Sequence, residues 1–173
     1  MNRRQSLLAL SALAGHACFP EVLARFGSAL ASPKDDWTPA LASARQGRVL
    51  AEAVDTILPD TDTPGARAAG VHVFVDLLAK HCRTADEQRA FTAGLDALDR
   101  AGFAGADRTA REALLTGLEA AKDPFFAWLK EATVLGYCTS EVGATRALAY
   151  AHVPGEYAGC LPLGKGQKGW ATW

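Results

Sequence analysis

Chemistry in a polypeptide needs particular residue types at particular spacings, and the chain offers few. Asp60-x-Asp62-x-x-Gly65 has the opening of a calcium loop, where oxygen ligands at alternate positions face one cation. Such a loop also needs an oxygen ligand at its fifth position and a bidentate acid at its twelfth. Pro64 and Val71 stand there. The run therefore reads as a capped turn, its Asp and Thr side chains bonding nearby amides while Pro and Gly fix the bend. The histidines are His16, His72, His81 and His152. His72 and His81 fall on one predicted helix, and about 100° of turn per residue puts them on opposite faces, unable to share a metal. No C-x-x-C or H-x-x-x-H pair supplies the convergent ligands of a zinc site.

The motifs of nucleophilic and nucleotide chemistry are missing as well. There is no G-x-S-x-G elbow, Walker loop or G-x-G-x-x-G turn. Gly164-Lys165-Gly166 has no predicted strand before it and no helix after it, so it lacks the context of a phosphate loop. Glu52, Asp55, Glu131 and Glu141 read as solvated or ion-paired helix acids, and no acid–base pair is forced together. The residues alone predict no catalytic, cofactor-binding or metal-binding residue in this chain.

Composition sets the frame. The 173 residues are 49% hydrophobic, with 18 Lys and Arg against 19 Asp and Glu. This length suits one globular domain, and near-neutrality excludes binding nucleic acid by phosphate neutralisation. Four cysteines are too few for a disulfide scaffold.

The first 31 residues read as an export signal. Arg3-Arg4 precedes a short, moderately apolar run from Leu7 to Gly15, the pattern of a twin-arginine leader. Ala29-Leu30-Ala31 is an A-x-A cleavage site. The blander reading is an N-terminal helix with two solvated arginines. If the leader is removed, Cys82, Cys138 and Cys160 remain, an odd number that leaves at least one thiol free or paired with another chain.

Residues 32–40 read as a linker and 41–150 as a helical domain. Leu50, Val54, Ile57 and Leu58 form one stripe ended by Pro59. A second helix starts between Ala66 and Val71 and ends at Cys82, with Val71, Phe74, Val75 and Leu78 inside. Thr84 and Glu87 form a capping box for a third, with Phe91, Leu95 and Leu98 inside and Gly102 at its end. A fourth follows from about Thr109, with Leu114, Leu115 and Leu118 inside. Asp123-Pro124 opens a fifth, which Gly136 should break or bend. Its Phe125 and Phe126 point about 100° apart, one toward a core and one outward. A sixth spans 140–150. The fold class is all-α, a compact bundle of about five or six helices, followed over 151–173 by a long irregular Gly/Pro-rich tail. Two tryptophans in that tail argue that it lies on a surface, its own domain's or another protein's.

Three stretches carry a resemblance: Ile57-Leu58-Pro59-Asp60-Thr61-Asp62-Thr63-Pro64-Gly65-Ala66, Gly136-Tyr137-Cys138-Thr139-Ser140-Glu141-Val142-Gly143, and Val153-Pro154-Gly155-Glu156-Tyr157-x-Gly159-Cys160. With the Arg-Arg leader, and in this order, they resemble the gluconate 2-dehydrogenase subunit 3 family. The resemblance implies a non-catalytic accessory subunit of an exported dehydrogenase complex of sugars or sugar acids. It implies FAD in a large partner subunit and haem c in a cytochrome subunit, with none in this chain. It implies that the small subunit carries the twin-arginine signal to the translocation machinery for a flavoprotein lacking one, and that the complex lies in the periplasm, at the outer face of the inner membrane. It does not name the partner's substrate.

On that reading the tail, 23 residues able to reach roughly 70 Å if extended, is a docking segment. Phe126, Trp128, Tyr137, Tyr157 and Trp170 are the partner-facing candidates. Cys138 and Cys160 are candidates for a disulfide, with each other or with the partner. The competing expectation is a free-standing periplasmic helical binding protein with its own ligand pocket and no obligate partner.

Overall fold

A computed structural model describes residues 37–153, 155, 160, 162 and 164–171. The leader, with Arg3, Arg4, Ala29 and Ala31, lies outside them, and so does Tyr157.

Local capping chemistry sets the helix starts. Ser43 accepts the amide of Gln46 while the Gln46 side chain accepts that of Ser43, and this box opens α1 (Ala44–Ile57). Leu58-Pro59 closes it. The next helix, α2 (Val71–Cys82), starts at the late end of the expected window. Gly70 before it has φ +77°, a left-handed conformation that separates the turns of 66–70 from the helix. Thr84 and Glu87 form the expected box at the head of α3 (Ala85–Arg100). The Thr84 amide, with its hydroxyl, holds the Glu87 carboxyl below its ordinary range. Gly102, φ +74°, turns the chain into a 3-10 turn at Phe103–Gly105. Asp107 caps α4 (Arg108–Ala120), and Asp123 caps α5 (Pro124–Thr139) by accepting the amides of Phe125 (2.9 Å) and Phe126 (3.2 Å).

Two expectations fail at the end of this series. The fifth helix does not break at Gly136; it runs to Thr139. The missing side chain serves packing instead: a Cβ there would stand 2.6 Å from the Phe74 ring of α2. The sixth helix is only a π-helical turn, Gly143–Ala147. A Cβ on Gly143 would stand 1.8 Å from the Tyr137 carbonyl oxygen, so this turn closes on the end of α5 only because position 143 has none.

The residues from Pro39 onward form one compact unit. Its core is α1 against α2, α3 and α5, with Val49, Leu50, Val54, Val71, Val75, Leu95, Phe103 and Leu129 fully buried. Leu78 and Phe74, expected inside, are half-buried, and Leu77 and Val73 take the inner positions. Two polar groups tie the layers. Asp76 of α2, wholly buried, accepts the amides of Ala40 (2.5 Å), Leu41 (3.3 Å) and Ala42 (2.9 Å), anchoring the approach to α1. Glu52 of α1 pairs with Arg67 (2.5 Å) and with Arg111 of α4, whose guanidinium also donates to the carbonyls of Phe103 (3.0 Å) and Ala104 (2.8 Å).

Among the described residues there is no strand, and no helix is long and apolar enough to cross a membrane. The described part of the C-terminal segment touches the end of the helical domain at one place. Ala149 donates to the Gly169 carbonyl (2.8 Å) and Ala171 donates to that of Ala149 (3.1 Å), a single parallel bridge between Ala149 and Trp170.

Candidate functional site

One face of α3 carries Ala90, Gly94 and Ala97, continued by Ala101 at its C-terminal cap, positions that fall close together around a helix. Small side chains there leave room beside the helix. Asp123-Pro124 starts α5 so that Phe125 and Trp128 come against this face. The Phe125 ring fills the place of the Gly94 side chain, where a Cβ would lie 2.3 Å from it. Phe91 joins the two aromatics, edge-on to Trp128 at 5.2 Å and tilted to Phe125 at 5.9 Å. Leu114 and Leu118 form the α4 wall. The result is an apolar groove between α3, α4 and α5 of about 630 Å³.

Its rim is charged. The Arg83 guanidinium lies 4.7 Å from the Trp128 ring centre and 2.5 Å from the Glu87 carboxylate. That stacking fixes Trp128 at one mouth of the groove, and Asp123 lines another part. Phe125, Trp128, Leu114 and Leu118 all remain half-exposed, although large apolar residues at helical spacing belong in a core. Such a surface is suited to an apolar occupant.

The Asp60–Gly65 run is a closed turn. Asp60 accepts the Gly65 amide, the Ala66 amide returns to the Leu58 carbonyl (2.7 Å), and a Cβ on Gly65 would meet backbone atoms at 2.6 Å. Burial, with the neighbouring charges of Asp60 and Glu52, pushes the Asp55 carboxyl above its ordinary range, against the pull of Arg67 and Arg111. Among the described residues no group of three or more His, Cys, Asp or Glu side chains is placed to hold a metal ion. His72 is buried and His81 exposed, on opposite sides of α2.

The partner-facing candidates separate. Phe126 and Tyr137 are 5% and 8% exposed and belong to the chain's own core. Of the adjacent pair, Phe126 turns inward, because the turn set by Asp123 aims Phe125 at α3. Tyr137 is drawn in by a hydrogen bond from its hydroxyl to the Pro64 carbonyl (2.8 Å). Trp128 lines the groove, and Trp170 stands 52% exposed at the bridge. Cys138 is half-buried on α5, and Cys82 and Cys160 are exposed, each with a free thiol. Phe91 is buried as expected, and of the Phe125-Phe126 pair one turns inward and one outward; sequence reasoning missed that Leu114 and Leu118, assigned to the core, line a groove. The small residues of α3 were the available signal.

The fold and groove define a small helical protein with an apolar groove on its surface. The model of the family described as gluconate 2-dehydrogenase subunit 3 matches residues 44–155. The chain belongs to this family, named for one subunit of a multi-subunit dehydrogenase. No curated protein and no solved structure matches the chain.

Proposed function

We propose that this chain is the non-catalytic small subunit of a periplasmic, membrane-associated, FAD-dependent dehydrogenase complex. It escorts the flavoprotein subunit through twin-arginine export and stabilises it afterwards. FAD belongs to the large subunit and haem c to a cytochrome subunit. The observation that carries the reading is the groove: a member of a dehydrogenase-subunit family leaves Leu114, Leu118, Phe125 and Trp128 half-wet, where a partner would cover them. Aromatic residues in such places contribute heavily to protein–protein affinity.

A tag on this chain should recover a yellow flavoprotein from a periplasmic extract. Leu114→Lys with Leu118→Lys should abolish recovery while the helical circular dichroism of the chain persists. Arg3→Lys with Arg4→Lys should hold dehydrogenase activity in the cytoplasm; activity still reaching the periplasm would end the escort reading.

The second reading, a free-standing periplasmic binding protein, draws on the groove's volume, which lies within the range of small-molecule sites. A lone, well-behaved monomer in the same extract would favour it.

A further inference from the structure

The charges of the chain are unevenly divided. Residues 39–142 hold 15 Asp and Glu against 11 Lys and Arg, whereas residues 143–173 hold 3 Lys and Arg against 1 Glu. All ion pairs among the described residues lie in the first stretch. Arg146, Lys165 and Lys168 take part in none of them and are all exposed.

The bridge between Ala149 and Trp170 gathers part of this charge beside the exposed apolar residues of the segment. The Lys168 ammonium donates to the Arg146 carbonyl, which places the two residues side by side. Tyr150 stands next to His152, its hydroxyl 3.3 Å from Nδ1. Tyr150, Val153 and Trp170 are 44%, 78% and 52% exposed. Aromatic rings with a polar edge settle at the head-group level of a bilayer, and Lys and Arg stems lie along apolar surface while their charges reach anionic groups. Protein hot spots, by contrast, sit in well-packed, desolvated pockets. Here Tyr150 and Trp170 stand exposed on the two stretches of chain that also carry Arg146 and Lys168.

We propose that this patch, Arg146, Tyr150, Lys168 and Trp170, together with the exposed Val153 and Lys165 of the same segment, rests on the head-group layer of an anionic lipid bilayer. The inference does not depend on the escort reading, since the patch belongs to this chain alone. Three basic residues near an anionic surface strengthen attachment by roughly a hundredfold together, and salt weakens it.

The test is flotation of the purified full-length chain with two vesicle types, pure phosphatidylcholine and phosphatidylcholine mixed with phosphatidylglycerol. The chain should float with the mixed vesicles, less so as salt rises. Lys165→Gln with Lys168→Gln should weaken that binding by about 30-fold, and Trp170→Ser should weaken it further. Arg100→Gln with Lys122→Gln removes the same charge from the helical body and should leave binding unchanged. All variants keep the basic leader, so equal flotation of wild type and the Lys165/Lys168 variant would overturn the proposal. So would no binding to the mixed vesicles, or an equal loss in the Arg100/Lys122 variant. Loss of a bound flavoprotein from the Lys165/Lys168 variant with vesicle binding intact would assign the patch to an acidic protein surface instead, and would also overturn it.

Discussion

The Tyr137 hydroxyl donates to the Pro64 carbonyl across 73 residues of sequence, at 2.8 Å, with the Thr63 hydroxyl 3.4 Å away. This one bond joins two of the three stretches that carry the resemblance. The turn after α1 is thereby fastened to the end of α5, and both stretches are explained as parts of one joint.

Tyr137→Phe keeps the ring and removes only the bond. It should cost about 1 kcal/mol, the usual net value of such a hydrogen bond, read as a lower urea midpoint with an unchanged slope. An unchanged midpoint would mean that the joint is held by packing alone.

Asp76 is the stronger tie. Its carboxylate satisfies three successive amides at the entry to α1, and unpaired amides in poor contact with water are expensive. Asp76→Ala should cost about 3 kcal/mol or more. Asp76→Asn, which keeps one acceptor oxygen, should cost less. Denaturant unfolding of the two variants checks the order; equal stability would sink the anchoring role.

Two glycines should respond differently to alanine. At Gly143 the new Cβ meets the Tyr137 carbonyl, which as backbone cannot move aside cheaply, and the loss should be about 2 kcal/mol or more. At Gly102 there is open space but a left-handed φ, and the loss should be about 1 kcal/mol. Thermal unfolding of both variants tests the ranking, which reverses if the π-helical turn adapts freely.

Asp55 has the opposite effect from a salt-bridged acid. Its folded pKa is raised, first by burial and then by Asp60 and Glu52. The folded state therefore binds the proton more tightly than the unfolded state. Its contribution is favourable while the group is protonated, and is lost as pH rises from the ordinary carboxylate range through the raised value. Asp55→Asn should raise the melting temperature near neutral pH by a small amount, worth less than about 1 kcal/mol after solvent screening. The gain should vanish in acid, where wild-type Asp55 is itself protonated. A gain independent of pH would remove the electrostatic explanation.

Much of the fold was legible because the signals were local. Ser, Thr and Asp caps act on amides two or three residues away, so the starts of α3 and α5 followed from Thr84-x-x-Glu87 and Asp123-Pro124. Gly136 misled the reading for the same reason. Its cost to an isolated helix is local, but its role depends on Phe74 of another helix. Leu114 and Leu118 looked like core residues by spacing, and nothing in their own helix says that the α3 side of the groove is lined largely by the small residues Ala90, Gly94 and Ala97.

The sequence by itself determined a helical domain, the cap-defined starts of α3 and α5 and the family, since these rest on periodicity, capping chemistry and ordered motifs along the chain. Tertiary structure alone decided that Phe126 and Tyr137 turn inward, that Phe125 and Trp128 line a groove, and that the chain near Trp170 returns to Ala149. Those outcomes depend on which distant surfaces meet, and a side chain's burial is set by its neighbours in space.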